Sequence, residues 1–465
     1  MPDLSAFRLG DIRGVYPDEI NESFMHDFAH AFVGHFKLSG RLATGRDMRD
    51  SSASLQQALN DALTGIGMDV VDIGLCPTEL GYFASAMPGM EAAIVVTASH
   101  NPAYYNGLKC VLRKGQAITF DKGLRNIKAL MQDGYRHPTA KGSLVQEDFH
   151  SRYLDFLRRS FPPDSLQGGA VALNGLNGTA ATMAGLVATE FGLPATWFRK
   201  QPGPMPLEGA DPANPRHAEE MRGFMQDSPQ KERFSLGVAW DSDCDRCVCF
   251  DGEGQLIPAY YLVGLLAGKL LAASPGAAIV FDTKLCWNTL AVIEAGGGKP
   301  VPSATGHAFM KQKMHESGAV YGGELSSHHY FGDFFGCDSG IFAWLTMLQL
   351  LNDTGASLHE LVDVQRQRIC CTPEINLTLT DTEAAFAEVQ RIYSASAKHT
   401  DTFDGLSFEM PGDWRFSLRQ SKTEPVARIN FEARQKGKAA LLAEAPKVLE
   451  LLTPHQADNK NWQSQ

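Results

Sequence analysis

The 465-residue sequence predicts an α/β protein with three related mixed α/β domains and a fourth, smaller α+β domain. Strand-like and helix-like segments alternate through about the first 370 residues, and such βαβα order is typical of mostly parallel sheets. The order then changes to a strand, a helix, several strands and a final helix, which indicates an α+β domain. The length agrees, because domains usually contain about 100–200 residues.

The first domain is predicted over residues 1–150. A helix is expected over Ser51–Ile66, where leucines recur every four residues along one face. The apolar, β-branched segment Ala93–Val96 predicts a buried strand, and Asn101-Pro102 prevents a helix from following it directly. The residues between them should therefore form a loop at the carboxyl end of a strand, where open α/β sheets keep their functional groups.

Three further domains are predicted, over residues 151–257, 258–370 and 371–465. The second begins near Pro162-Pro163, and the third begins near Pro258. The similar size and βα order of the first three domains indicate that they are related, although the residues themselves show no repeat.

Composition excludes several classes of protein. The net charge of −11 argues against a nucleic-acid partner, which would require a basic face. The sequence contains no run of about 18 apolar residues, which a membrane-spanning helix would require. The chain has nine cysteines, an odd number, and no recognisable signal peptide. Both observations suit a reducing compartment better than a framework of disulfides. We therefore expect a cytoplasmic protein with no membrane or nucleic-acid partner.

Ser99 and His100 lie in the polar loop that follows the strand Ala93–Val96. A serine beside a histidine in such a loop is suited to be a nucleophile or a phosphate carrier, and an ordinary turn is the alternative.

Asp241-Ser242-Asp243-Cys244-Asp245-Arg246 follows a second apolar strand. Three carboxylates two positions apart on a curling loop can converge on one hard cation such as Mg²⁺. An EF-hand is excluded, because its sixth position needs glycine and here holds Arg246. Three carboxylates supply fewer than the six oxygens that Mg²⁺ binds, so the loop predicts that phosphate oxygens on a nearby serine supply the others. A solvated acidic turn is the alternative.

Two later loops suit a sugar phosphate. Glu324 and Ser326 are two residues apart on an extended segment and would face the same side, where they can bond neighbouring hydroxyl groups. Arg419-Gln420-Ser421-Lys422-Thr423-Glu424-Pro425 with Arg428 supplies the cations and hydroxyls that hold a phosphate. Surface loops with scattered polar residues are the alternative for both.

These loops, in this order, resemble the motifs of the α-D-phosphohexomutase family, and within it those of bacterial phosphomannomutases. The stretches that carry the resemblance are Gly10–Gly14, Thr97–Pro102, Asp241–Arg246, Gly323–Phe331 and Arg419–Arg428. Three positions depart from the family pattern: Gly10 replaces an aromatic residue, Ser242 a glycine and Lys422 an asparagine. If position 242 required a positive φ, serine would cost about 1 kcal/mol there.

The resemblance implies a central cleft between the four domains and a role for each matching residue. It implies catalytic roles for Ser99, His100, Lys109, Arg13 and His329. It implies Mg²⁺ ligands at Asp241, Asp243, Asp245 and Ser99. It implies substrate contacts at Arg246, Lys284, His307, Glu324, Ser326, Arg419, Ser421, Thr423 and Arg428.

The activity implied is interconversion of mannose 1-phosphate and mannose 6-phosphate through a hexose 1,6-bisphosphate and a phosphoserine enzyme. Mg²⁺ and hexose 1,6-bisphosphate would be the cofactor and activator, the chain would be a monomer or weak homodimer, and the pathway would be GDP-mannose biosynthesis. A phosphoglucomutase or dual-specificity phosphohexomutase is the nearest alternative. A metal-dependent phosphatase and a non-enzymatic sugar-phosphate sensor are the others.

Overall fold

Three mixed α/β domains and a C-terminal domain make up the molecule, as the sequence predicts. The computed structural model describes residues 4–166, 169–229, 234–420 and 426–456. Within these residues each domain has its own sheet, and the sheets contain seven, four, five and six strands in chain order.

The first sheet has the order β1-β5-β4-β2-β3-β7, with β6 paired to β5. Strands β4, β2, β3 and β7 run parallel, whereas β1, β5 and β6 pair antiparallel. The strands are β1 Ile12–Val15, β2 Arg41–Arg46, β3 Asp69–Leu75, β4 Met90–Val96, β5 Tyr105–Leu112, β6 Gln116–Ala117 and β7 Leu144–Gln146. The helices are α1 Glu22–Phe36, α2 Ser52–Gly65, α3 Thr78–Ser85 and α4 Arg125–Gln132.

The second sheet has the order β11-β10-β8-β9, and only β11 is antiparallel. Its strands are β8 Ala170–Asn174, β9 Ala195–Phe198, β10 Phe234–Trp240 and β11 Cys247–Phe250. The accompanying helices are α5 Phe149–Ser160, α6 Ala180–Glu190 and α7 Pro215–Asp227.

The third sheet has the order β13-β12-β14-β15-β16, with β13, β12 and β14 parallel. Its strands are β12 Ala278–Asp282, β13 Lys299–Ser303, β14 Tyr321–Gly323, β15 His329–Phe331 and β16 Cys337–Asp338. Its helices are α8 Ala259–Ala273, α9 Trp287–Ala295, α10 His307–Ser317, α11 Gly340–Thr354 and α12 Leu358–Arg366.

The C-terminal sheet is antiparallel, with the order β17-β22-β21-β20-β19 and β18 paired to β22. Its strands are β17 Ile369–Cys371, β18 Ile375–Thr378, β19 His399–Asp401, β20 Leu406–Met410, β21 Trp414–Gln420 and β22 Val426–Arg434. Helices α13 Thr382–Tyr393 and α14 Lys438–Leu452 accompany it.

One apolar core runs through the first three domains, which fixes how their sheets face each other. It includes Phe83 of α3, Trp240 of β10 and Trp344 of α11, all of them buried. The C-terminal domain has a separate core around Phe416 and Phe431. The described part of the chain contains no helix long and apolar enough to cross a membrane.

Glu79 of α3 joins the first domain to the third. Oε2 of its buried carboxyl group accepts hydrogen bonds from the Ser339 hydroxyl and from the Ile341 amide at the start of α11. Burial raises the pKa of Glu79 to about 8, although these hydrogen bonds oppose the rise. The folded protein therefore holds this carboxyl in its neutral form at pH values where the unfolded chain has lost the proton.

This pKa predicts a stability that falls with rising pH. Between the ordinary value of 4.5 and about 8, the folded state binds more protons than the unfolded state, so this contribution is lost as pH rises. From pH 5 to pH 8 we expect the free energy of unfolding of the wild type to fall by about 3 kcal/mol more than that of the Glu79→Gln variant. Urea unfolding of both proteins at the two pH values measures this difference. Glu294→Gln, at an exposed helical site, is the matched control. An equal effect of Glu79→Gln at both pH values would contradict the prediction.

Candidate active site

Ser99 lies in the loop that follows β4 and is only 1% exposed. Its backbone has φ 51°, in the left-handed region, which costs a non-glycine residue about 1–2 kcal/mol. In this conformation the Ser99 hydroxyl donates to Asp241 Oδ2 at 2.9 Å and lies 3.1 Å from His100 Nδ1. The loop thus presents the serine oxygen to the aspartate loop of the second domain.

Two side chains hold this strained loop through the Ser99 carbonyl. Arg49 Nη2 donates to it at 2.6 Å, and Ser242 Oγ donates to it from the aspartate loop. Buried Arg49 is itself fixed by an ion pair with Asp47 at 3.0 Å. Arg49 also donates to the backbone oxygens of Asn101, Pro102 and Tyr105. The sequence does not predict this role of Arg49, because the contacts join residues about 50 positions apart. The Asp-x-Arg spacing after β2 is a local signal of the buried ion pair alone.

Asp241, Asp243 and Asp245 follow β10, are fully buried, and have carboxylate oxygens within 4.8 Å of one another. Among the described residues, Asp243 Oδ1 and Asp245 Oδ1 have no hydrogen-bond partner. Unmet buried carboxylate oxygens together with an all-oxygen donor set fit Mg²⁺. In this loop Cys244, and not Ser242, adopts a positive φ, of 64°. The backbone cost considered for Ser242 therefore does not arise.

Lys109 of β5 points into the same carboxylate cluster. Its Nζ donates to Asp243 Oδ2 at 2.7 Å and to Asp245 Oδ2. Burial lowers the pKa of this amine, but Asp243 and Asp245 outweigh burial and hold the pKa above its ordinary value. Likewise, burial opposes ionisation of Asp245, yet Lys109 and His328 keep the pKa of this carboxyl well below its ordinary value. Lys109 is therefore a fixed cation.

His100 and two arginines surround the serine loop. Burial, with Arg246 and Arg13 nearby, holds the pKa of His100 well below its usual range, so the imidazole is neutral at pH 7. Arg246 Nη2 lies 3.4 Å from His100 Nε2. Arg13 donates to the Asn101 side chain at 2.7 Å. The serine loop is therefore flanked by two arginines as well as by the aspartate loop.

His328, rather than His329, faces this site. His328 lines the central cavity, and its Nε2 lies 3.4 Å from Asp245 Oδ1. His329 is the first residue of β15, is 1% exposed, and lies 2.7 Å from the Tyr321 hydroxyl. Burial lowers the pKa of His329 to about 3. The structure therefore brings His328 to the cavity and places His329 in the interior, because neighbouring residues on an extended segment point to opposite faces.

Glu324 and Ser326 both line the cavity. Glu324 accepts hydrogen bonds from the Gly306 amide at 2.8 Å and from the Tyr330 hydroxyl at 2.5 Å. Ser326 Oγ lies 2.9 Å from His328 Nδ1. Glu324 therefore braces the loop around residue 306, and Ser326 fixes the orientation of the His328 ring.

The central cavity has a volume of about 380 Å³ and is lined by all four domains. The predicted site residues that line it are Arg13, His100, Arg246, His307, Glu324, Ser326, Arg419 and Arg428. Lys284 is buried and lies 3.7 Å from Asp282 Oδ2 and 4.0 Å from Glu374 Oε2, outside this lining. Ser421 and Thr423 fall outside the described residues, as does Lys422.

Gly10, which also lines the cavity, departs from the family's aromatic residue for a steric reason. A Cβ atom added at Gly10 would lie 2.8 Å from the Cβ of Ala308, closer than real Cβ contacts. A side chain at this position would require the start of α10 to move.

Four family models match consecutive segments of the chain. They describe phosphoglucomutase/phosphomannomutase alpha/beta/alpha domains I, II and III, over residues 4–137, 151–254 and 258–368, and the C-terminal domain of the same family, over residues 374–447. Together these segments cover most of the chain.

Curated relatives match over nearly the whole length. A phosphomannomutase of Escherichia coli is 39% identical over 462 residues, covering 97% of this chain and all of the relative. A protein of Xanthomonas campestris pv. campestris called phosphohexose mutases is 39% identical over 447 residues, covering 94% of this chain and 97% of the relative.

Solved structures agree with the fold. A phosphoglucomutase/phosphomannomutase family protein from Burkholderia thailandensis has a TM-score of 0.86 at 29% identity, with 98% of each chain covered. A structure called a putative phosphomannomutase from Thermus thermophilus has a TM-score of 0.81 at 23% identity, covers 97% of this chain and 99% of its own, and supports the fold alone. The chain therefore belongs to the phosphoglucomutase/phosphomannomutase family, that of the α-D-phosphohexomutases, and is a phosphohexomutase, an enzyme of the isomerase class.

Proposed function

We propose that this phosphohexomutase interconverts mannose 1-phosphate and mannose 6-phosphate through a hexose 1,6-bisphosphate, with Ser99 as the phosphate carrier. One observation carries the proposal: the Ser99 hydroxyl lies 2.9 Å from Asp241 and beside a cavity to which the fourth domain contributes Arg419 and Arg428. A phosphoryl group on Ser99 would thus face a separate pair of cations that can hold the other end of the substrate.

At the reacting end, the chain supplies charge and orientation. Arg13 and Arg246 line the cavity, Lys109 contacts the aspartate loop, and neutral His100 lies 3.1 Å from the Ser99 oxygen. Fixed donors aimed at the transferring group stabilise the charge that spreads over its oxygens. The family is Mg²⁺-dependent, and Mg²⁺ held by Asp241, Asp243 and Asp245 would neutralise part of that charge.

His328 is the proposed proton acceptor. As the phosphorus–oxygen bond to Ser99 breaks, a new bond forms to a sugar hydroxyl, whose proton must leave. His328 lines the cavity and is oriented by Ser326, whereas Lys109 is a fixed cation and carries no lone pair to accept a proton. His328 thus replaces His329 in the proposed catalytic set.

At the distal end, we propose that Arg419 and Arg428 bind the phosphate that does not react, with Ser421 and Thr423 as further contacts. Arg428 lies 3.6 Å from Glu374, which holds its guanidinium at the cavity wall. The bisphosphate must turn end for end before Ser99 recovers a phosphate, so this site has to accept either phosphate. His307, Glu324 and Ser326 would contact or frame the sugar ring, and Lys284 is the weakest member of the proposed set.

The four domains then have separate proposed roles. We assign phosphoserine to residues 1–150, the metal to 151–257, sugar recognition to 258–370 and the distal phosphate to 371–465. Cytoplasmic localisation, a monomer or weak homodimer and a role in GDP-mannose biosynthesis belong to the same proposal.

The phosphate clamp, formed by Arg419 and Arg428, predicts that Arg419→Ala weakens substrate binding. A charged hydrogen bond contributes about 1.5–3 kcal/mol, so KM should rise about 10–100-fold while kcat changes less. Steady-state kinetics with mannose 1-phosphate measures this. Arg434→Ala, at an arginine that stacks on Trp287 outside the cavity, should leave KM unchanged. A loss confined to kcat in Arg419→Ala would contradict the clamp.

Substrate choice is tested by comparing mannose 1-phosphate with glucose 1-phosphate, each with Mg²⁺ and hexose 1,6-bisphosphate. Conversion of mannose 1-phosphate to mannose 6-phosphate supports the proposal, and equal kcat/KM for both sugars would indicate a dual-specificity enzyme. A relative called phosphohexose mutases gives that second candidate its support. Preference for glucose 1-phosphate alone would contradict the proposal.

A further inference from the structure

A second group of buried metal-ligand side chains adjoins the aspartate triad. Asp245, His328 and Asp338 each offer a ligand atom, and these atoms all lie within 4.8 Å of one another. The residues come from the loop after β10, the loop before β15 and strand β16. Backbone pairing joins these elements, since Arg246 bridges to His328 and Tyr330 pairs with Asp338. The fold itself therefore brings the group together.

Two carboxylate oxygens of this group have no hydrogen-bond partner among the residues that the structure describes. Asp338 is fully buried, and its Oδ1 accepts a hydrogen bond from Lys311 Nζ at 2.7 Å, but its Oδ2 accepts none. Asp245 Oδ1 also accepts none and lies 3.4 Å from His328 Nε2. Since an unmet buried acceptor costs about 1–3 kcal/mol, the group favours a cation.

We propose that Asp245, His328 and Asp338 form a second cation site, which prefers a borderline divalent ion such as Zn²⁺ over Mg²⁺. An imidazole ligand favours Zn²⁺, whereas the all-carboxylate triad favours Mg²⁺. Tetrahedral Zn²⁺ bonds of about 2.0–2.1 Å place neighbouring ligand atoms about 3.3–3.4 Å apart. The 3.4 Å between Asp245 Oδ1 and His328 Nε2 matches this separation.

The surroundings of His328 suit a metal ligand. Ser326 Oγ lies 2.9 Å from His328 Nδ1, so the ring can donate its Nδ1 proton there and keep the Nε2 lone pair toward the carboxylates. Asp245 belongs both to this group and to the aspartate triad, so its carboxylate would be shared by the two cations. Lys311 stays paired with the other oxygen of Asp338.

Zn²⁺ at this site would inhibit turnover, because it occupies the nitrogen that accepts the proton in the proposed reaction. The inhibition rests on the proposed function, whereas the binding does not. A Mg²⁺-saturated enzyme should therefore lose activity with Zn²⁺ at concentrations that leave the aspartate triad occupied by Mg²⁺.

Equilibrium dialysis of the Mg²⁺-saturated protein against Zn²⁺ tests the binding. We expect one Zn²⁺ per chain that excess Mg²⁺ does not displace, and a midpoint of inhibition that does not move with Mg²⁺ concentration. Co²⁺ in place of Zn²⁺ should give the intense visible absorption of a tetrahedral site. Zn²⁺ that binds only in competition with Mg²⁺ would overturn the second site and leave the mutase function intact. Mg²⁺-resistant Zn²⁺ without inhibition would support the site and count against His328 as the proton acceptor.

Two variants assign the ligands. Asp338→Asn and His328→Gln should each lower Mg²⁺-resistant Zn²⁺ affinity by at least about tenfold, with Mg²⁺ binding retained. Because Asp338→Asn removes the charge beside buried Lys311 and can unfold the chain, His328→Gln decides the outcome. His307→Gln removes another imidazole of the cavity, 3.5 Å from Asp11, and should bind Zn²⁺ like the wild type. Wild-type Zn²⁺ affinity in His328→Gln would overturn the proposal.

Discussion

Ser99→Ala is expected to lower mutase turnover by at least about 10⁴-fold, the scale on which enzymes respond to loss of a nucleophile. The Ser99 oxygen lies 2.9 Å from Asp241 and 3.1 Å from His100. Ser99 is buried directly before His100 and Asn101, which line the cavity. The variant should also fail to incorporate phosphate from hexose 1,6-bisphosphate, as measured by peptide mass spectrometry.

Ser242→Ala is the matched control for this experiment. Ser242 is also a buried serine, but its hydroxyl donates to the Ser99 carbonyl and holds the loop instead of carrying the phosphate. Since Arg49 also bonds that carbonyl, we expect Ser242→Ala to keep phosphate incorporation and to lose less than about tenfold in turnover, the scale of one neutral hydrogen bond. Full turnover in a folded Ser99→Ala protein would refute the phosphoserine mechanism.

His328→Gln is expected to lower kcat by about 10²–10⁴-fold with a small effect on KM, because the sugar hydroxyl loses its proton acceptor. Glutamine keeps a polar group beside Ser326 but cannot accept the proton. Steady-state kinetics with mannose 1-phosphate measures kcat and KM.

His329→Gln is the control that tests whether the loss of turnover is specific to His328 or follows from replacing either of the two adjacent histidines. The His329 ring lies against Tyr321 in the interior, where burial lowers its pKa to about 3. The His329→Gln variant should lose stability in urea unfolding, while its kcat stays within about tenfold of the wild-type value. The reverse pattern, with His328→Gln active and His329→Gln inactive, would restore the assignment drawn from the sequence.

Much of the fold and part of the site could be predicted from the sequence because they depend on local pattern. Helix α2 is expected over Ser51–Ile66 and occupies Ser52–Gly65, since its leucine stripe repeats at helical spacing. Ser99 and Asp241 each follow an apolar strand, so their convergence at sheet edges follows from strand polarity.

Other features depend on contacts that no local pattern contains. His328 and His329 are adjacent, and which of them faces the cavity is decided by the register of β15 against β14. Arg49 bonds a loop about 50 residues away, and Glu79 reaches the start of α11 in another domain. Such partners are set by how the domains pack, which residue spacing does not encode.

The central claim is that Ser99 gives its own phosphoryl group to the sugar, and transfer of label tests it most directly. Enzyme carrying radiolabelled phosphate on Ser99 is mixed with unlabelled mannose 1-phosphate and Mg²⁺, and the products are separated. The label should appear in hexose bisphosphate and then in mannose 6-phosphate. Label that is released as inorganic phosphate, or that stays on the protein while mannose 6-phosphate forms, would contradict the mechanism.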